Sequence, residues 1–265
     1  ETGLPDLRAA EGEDTTGLLS DGSPWVKWAV RLGTTTWGNP TVAGGRVLVG
    51  TSGPKREGGT IQCLDAATGT LRWQLICPPR KFPTPERPEK YEEWSPWDYL
   101  TATHAQTLGW GVCSSTSVDG DRAYALTSRG EVVCLDLHGL ANGNQGPFTD
   151  EARYKAGESK EEVPLEATDA DILWSFDLWT EVKSRPADTF SNAALIHGDL
   201  LYISTCNGIE RPARRQAFIP VRRNHPIVRD LHVSLPSTII PALPPVTPPL
   251  NHSPLPWREG TKGRG

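Results

Sequence analysis

The side chains with the widest chemical repertoire in this chain are its five cysteines, Cys63, Cys77, Cys113, Cys134 and Cys206. A thiolate can attack a substrate, ligate a metal or pair into a disulfide, and each use has its own environment and spacing. No CxxC pair, no CxxCH haem attachment and no two adjacent cysteines occur. Cys63, Cys134 and Cys206 fall in strand-like runs, where a thiol reads as a small buried apolar group. A structural disulfide is the alternative, and the odd count leaves at least one thiol free. A second candidate is the run from Asp136 through His138, Asn142 and Asn144 to Asp150-Glu151, in which oxygen side chains surround Gly139 and Gly143. Such a run could wrap a calcium ion. However, His138 stands where an acid is wanted and no Glu falls at the twelfth place. The segment therefore reads as a solvated loop, as does Lys160-Glu161-Glu162, and no metal ligand or catalytic residue is assigned.

The elements that hold these residues repeat. One unit runs from Gly38 through Val42, Gly44-Gly45 and Val47-Leu48-Val49 to Gly59, Ile61-Gln62-Cys63-Leu64-Asp65, Thr68-Gly69 and Trp73. A second runs from Ser115 through Val118, Gly120-Asp121 and Tyr124-Ala125-Leu126 to Gly130, Val132-Val133-Cys134-Leu135-Asp136 and, after an interruption, Trp174. A third begins at Ser191, passes Ile196, Gly198-Asp199 and Leu200-Leu201-Tyr202-Ile203, and leaves the pattern after Glu210. Ahead of them all, the stretch from Trp25 to Val30, with Trp28, resembles the closing strand of a preceding unit. Short alternating strands separated by Gly turns predict four-stranded antiparallel blades. A lone blade cannot bury both faces, so blades must stack radially as a partial β-propeller of about three blades, in an all-β chain. Trp28, Trp73 and Trp174 are expected at equivalent places, docking each blade on its neighbour. Asp65, Thr68 and Gly69 are expected to close the turn before the last strand and to belong to the same blade-docking set.

Two insertions interrupt the plan, near 78–110 and 137–170. The first holds Trp94, Trp97, His104 and Trp110. Long propeller loops lie on a rim, where contacts with partners are made, although these tryptophans could equally cover a blade edge. Little helix is expected outside the two insertions.

Charge marks a seam. The chain is −5 overall, yet from Arg211 onward Lys and Arg outnumber Asp and Glu nine to two, and eleven of the 24 Pro lie there. The expected domains are an N-terminal extension over 1–23, repeats over 24–210 and a basic Pro-rich tail over 211–265. The tail is expected to be exposed, without ladder contacts, either disordered or the product of a frame shift. A basic arm for nucleic acid is the rival for that segment; the reading adopted has no nucleic-acid partner. No run approaches the ~18 apolar residues of a spanning helix. With no Met and no apolar leader at Glu1, the chain reads as processed or partial.

The run Cys63-Leu64-Asp65-Ala66-Ala67-Thr68-Gly69-Thr70-Leu71-Arg72-Trp73, preceded by Gly45-Arg46-Val47-Leu48-Val49, resembles the PQQ-like (pyrroloquinoline-quinone) repeat. The resemblance covers about residues 24–210. The second unit departs from it, since an insertion replaces the Thr-Gly turn after Asp136. The resemblance implies a propeller, often of eight blades, and two settings. One is the non-enzymatic scaffold of the bacterial cell envelope or periplasm, similar to the propeller lipoprotein of the outer-membrane β-barrel assembly machinery, which binds protein partners through rim loops and holds no cofactor. The other is a fragment of a PQQ-dependent quinoprotein dehydrogenase, in which PQQ and calcium would be bound and adjacent cysteines often stack the quinone. Without adjacent cysteines here, the scaffold is the expectation and the dehydrogenase the alternative.

Overall fold

Among the described residues the repeat folds into three antiparallel sheets. The computed structural model describes residues 26–53, 58–80, 111–159, 161–182, 191–204 and 218–223, all within the first of two compact units, Glu1–Val228. The first sheet holds β1 (Thr41–Ala43), β2 (Arg46–Ser52), β3 (Gly59–Asp65) and β4 (Leu71–Cys77), in chain order. The second holds β5 (Ser117–Asp119), β6 (Arg122–Leu126), β7 (Glu131–Asp136) and β8 (Ile172–Asp177), again in order. The third holds β9 (Leu195–His197), β10 (Leu200–Ser204) and β11 (Phe218–Arg222). The first strands of the sheets meet, β1 against β5 and β5 against β9. The sheets are thus propeller blades with β1, β5 and β9 innermost.

Glycine sets the first hairpin of every blade. Ala43 pairs with Arg46 across Gly44 and Gly45, at φ 54° and 72°. Gly120 and Gly198 occupy the place of Gly44, at φ 57° and 54°. Two-residue hairpins need this left-handed backbone to match strand twist, and only glycine enters it freely.

Strand alternation then builds the core. In β6, Ala123 and Ala125 face blade 1, while Tyr124 and Leu126 face blade 3. In β7, Val133 and Leu135 face blade 1, and Val132 and Cys134 face blade 3. A strand buried on both faces is apolar at consecutive positions, as this one is. The two faces belong to two clusters. One joins Leu48, Ile61, Cys63, Trp73 and Leu75 of blade 1 to blade 2, and the other joins blade 2 to Leu201, Ile203 and Val221 of blade 3. Both full blades carry the same irregularity. The pairing slips between Cys63 and Leu64 opposite Arg72, and between Cys134 and Leu135 opposite Leu173. That bulge immediately precedes Trp73 and Trp174 and re-aims the outer strand at the next blade.

One expectation is corrected. The tail expected from 211 without ladder contacts contains β11, which pairs with β10 from Leu200↔Arg222 to Ser204↔Phe218 and buries Val221. The apolar run Phe218-Ile219-Pro220-Val221, with Val221 buried, outweighs the basic, proline-rich composition, and Pro is tolerated where its missing donor is not needed. The remainder of 211–265 lies outside the described residues, as do 1–25. As expected, helix outside both insertions is slight among the described residues: Leu178–Val182, formed because Asp177 Oδ1 accepts the amides of Trp179 and Thr180 and turns the chain at the end of β8. The second insertion is exposed over 141–147 and at Glu161 and Glu162, as a solvated loop would be, but its ends are anchored. It contains a 3₁₀ turn (Gly139–Asn142) and α1 (Glu151–Ala156), and Glu151, Asp169, Ala170 and Asp171 are buried. Lys160 and most of the first insertion, including Trp94, Trp97, His104 and Trp110, lie outside the described residues.

Candidate functional site: the blade junction and its insertion

The three tryptophans make one contact three times. Trp73 Nε1 donates to Leu137 O at 2.9 Å, Trp174 Nε1 to Arg223 O at 3.0 Å and Trp28 Nε1 to Ala66 O at 3.1 Å. Leu137, Arg223 and Ala66 each directly follow the third strand of a blade. Trp73 and Trp174 therefore cross from an outer strand to the blade that follows, and Trp28 reaches blade 1 in the same way from the segment before it. Trp73 is 1% exposed and Trp174 4%, while Trp28 is partly buried and residues 26–30 form no strand. The Trp174 bond also places Phe218–Arg222 as the third strand of blade 3.

Asp65, Thr68 and Gly69 sit in the β3–β4 turn and make no bond to another blade themselves. Asp65 Oδ1 accepts the amides of Ala67 and Thr68, each at 2.9 Å, and the Thr68 hydroxyl at 3.0 Å. Its Oδ2 accepts Arg72 Nη2 at 2.6 Å. The Arg72 guanidinium, then the Thr68 bonds, hold this carboxyl well below the usual carboxylate range. Gly69, at φ 75°, returns its amide to Asp65 O. Together they fix the turn that presents Ala66 O to Trp28. In blade 2 Asp136 takes the same part, accepting the His138 amide at 2.7 Å and Asn142 Nδ2 at 3.1 Å. The Leu-Asp ending of both third strands was the sequence signal for this equivalence.

The insertion clamps two blades. Gln74 of β4 donates its amide to Thr168 O at 2.8 Å and accepts the Ala170 amide at 2.9 Å. The returning insertion thus covers part of the outer edge of blade 1, an edge that would otherwise offer free ladder groups. Gly139 makes the close approach possible. At φ 61°, its Cα carries no Cβ, and one built there would lie 2.7 Å from Trp73 Cδ1. Beneath α1, Tyr154 stacks edge-on with Phe148 and donates its hydroxyl to Glu131 Oε2 at 3.0 Å.

Around that bond lies a polar cluster that sequence reasoning missed, because its members come from distant segments. Arg129 Nε donates to Glu131 Oε1 at 3.1 Å, and its guanidinium lies 4.8 Å from the Tyr154 ring centre. Arg80 Nη2 reaches Asp177 Oδ2 at 2.7 Å, and its Nη1 reaches Arg129 O at 3.2 Å. Burial pushes the Tyr154 phenol well above its usual range and the adjacent Cys77 thiol up to about 12. Burial would also raise Asp177, but the Arg80 and Thr180 bonds prevail and hold it low. A recess between β4 and α1, lined by Leu75, Tyr154, Lys155 and Leu165, has room for roughly one water. These groups can tie an inter-blade joint; a phenol and thiol held protonated are poor bases and nucleophiles.

Cys63, Cys77, Cys113 and Cys134 are buried, and no two cysteines of the sequence are adjacent. Among the described residues no three His, Cys, Asp or Glu side chains are grouped to hold a metal ion.

A family model described as outer membrane protein assembly factor BamB matches residues 18–143 and again 57–209. Among solved structures, a europium-containing methanol dehydrogenase is similar over 72% of this chain and 24% of its own, at 13% identity and a TM-score of 0.39. BamB from Moraxella catarrhalis is similar over 72% of this chain and 35% of its own, at 13% identity and 0.34. The quinohemoprotein alcohol dehydrogenase from Comamonas testosteroni is similar over 64% and 17%, at 11% and 0.32. The chain thus spans about a third or less of the length of these proteins. A search of curated proteins returned no match.

Proposed function

Since this chain belongs to the PQQ-like repeat propeller family described as outer membrane protein assembly factor BamB, we propose that it is a non-enzymatic scaffold of the bacterial cell envelope that binds protein partners through its rim. The observation that carries the reading is the use made of the polar groups at the blade junction. Arg80, Arg129, Glu131, Tyr154 and Asp177 bond to one another and to backbone, so their hydrogen-bonding capacity is spent on holding blades and insertion together. Outward on the insertion, Glu161, Glu162 and Glu166 are exposed beside the apolar Val163 and Leu165. An exposed face that mixes carboxylates with apolar side chains suits a contact surface better than a reaction chamber. Among the described residues no helix is long and apolar enough to cross a membrane.

The test is a photo-crosslinking side chain at Glu162 in the native full-length protein, followed by fractionation. Adducts with envelope proteins, lost when the insertion is deleted, are the expected result. Saturable binding of PQQ in the presence of calcium would favour the dehydrogenase alternative and overturn the scaffold, and so would recovery of the protein in the cytosolic fraction without adducts.

A further inference from the structure

Carboxylates fasten the insertion to blade 2. Asp136, Glu151, Asp169 and Asp171 are all buried, and Asp171 is wholly inaccessible. Glu151 accepts Asn144 Nδ2 at 2.8 Å and the Ile172 amide at 3.3 Å. Asp169 accepts Lys155 Nζ at 2.8 Å and the Glu166 amide at 2.7 Å. Asp171 Oδ2 accepts the Gln145 amide at 2.8 Å, which pins the middle of the insertion. Its other oxygen, Oδ1, is buried with no hydrogen-bond partner.

A buried carboxylate oxygen without a donor favours the neutral acid. The neighbours of Asp171 add to that preference. Glu151 from α1 and Asp136 from the end of β7 are both acidic, and the Cys134 thiol of β7 lies within the field of Asp171. Lys155 is engaged on Asp169, and the His138 ring lies 3.2 Å from Asp136. We infer that the insertion is an acid-tightened clasp, in which Asp171 takes up a proton on mild acidification and the insertion then grips blades 1 and 2 more firmly. Burial first, then Glu151 and Asp136, push the Asp171 carboxyl up to about 6, against the opposing Gln145 amide. A folded value above the ordinary 3.8 means that the stabilising contribution is complete below 3.8 and is lost as pH rises through about 6.

Hydrogen exchange of insertion peptides, corrected for the intrinsic rate, reads the clasp directly in the full chain. Between about pH 7.5 and about pH 5 the opening equilibrium of residues 137–170 should fall about tenfold. Asp171→Asn, neutral at every pH, should show the tighter protection already at the higher pH and no pH response. Glu151→Gln removes a neighbouring charge and should move the midpoint of the response to lower pH, a second reading should Asp171→Asn fail to fold. Protection that is unchanged or weaker in acid, a response that survives Asp171→Asn, or an unmoved midpoint in Glu151→Gln would each overturn the clasp. So would millimolar calcium protecting the insertion at the higher pH in the parent protein but not in Asp171→Asn, since the carboxylates would then serve a metal.

Discussion

Trp73 combines a large apolar surface with one buried bond, and the two can be separated by mutation. Trp73→Ala removes both and should cost about 3–5 kcal/mol in urea unfolding. Trp73→Phe keeps most of the burial, loses the donor to Leu137 O, and should cost less than half as much, on the order of 1–2 kcal/mol, including the carbonyl left unpaired. Gly139 is the counterpart of that indole. Gly139→Ala places a Cβ against Trp73 on a left-handed backbone and should cost at least about 1 kcal/mol, whereas the same change at Gly120, where a Cβ meets nothing within 4 Å, shows the backbone contribution alone. The thiols make a chemical version of the same point. Burial pushes Cys63, Cys77 and Cys134 up to about 12. Iodoacetamide at about pH 8 should therefore leave them unmodified in the folded chain and label them in urea.

At the scale of elements, β11 and the second insertion decide what each blade gains from its neighbours. Phe218–Arg222 supplies the third strand of blade 3, and Arg223 accepts from Trp174 and forms an ion pair with Asp119 while lying over Tyr124. Val221→Asp, which buries an unpaired charge against Leu201 and Ile203, should lower the melting temperature clearly. Truncation before Phe218 should do the same. A stability unaffected by both would mean that β11 contributes nothing to the fold. For the insertion, Tyr154→Phe loses the Glu131 bond and should cost about 1 kcal/mol while leaving the secondary structure unchanged, as circular dichroism would report.

Over the whole molecule the carboxylates divide into two groups with opposite pH dependence. Asp65 and Asp177 are held below their ordinary value of 3.8, so what they add to stability is present above that value and lost as the solution acidifies further. Asp171 behaves in the reverse sense, adding stability as pH falls through about 6. The melting temperature should therefore pass through a maximum between about pH 4 and about pH 6 rather than at neutrality. A curve that falls monotonically from pH 7.5 downward would contradict the assignment of Asp171.

The amino-acid order alone determined the blade. Gly44-Gly45, Gly120 and Gly198 had to sit in tight turns, and Val132 to Leu135 had to be buried on both faces. Leu-Asp had to end the third strand, and Trp73 and Trp174 had to lie on the outer one, because turns, pleat alternation and Asx capping are local and act between residues a few positions apart. Only the tertiary structure decided which carbonyl each indole meets, since Leu137 lies 64 residues beyond Trp73. It decided equally that Arg80, Arg129, Tyr154 and Asp177 converge, that Gly139 makes room for an indole, and that Phe218–Arg222 returns to β10 despite a charge and proline content that argued for an exposed tail. Those outcomes depend on desolvation and close packing between segments remote in sequence, where a few buried apolar contacts outweigh the average composition of a segment.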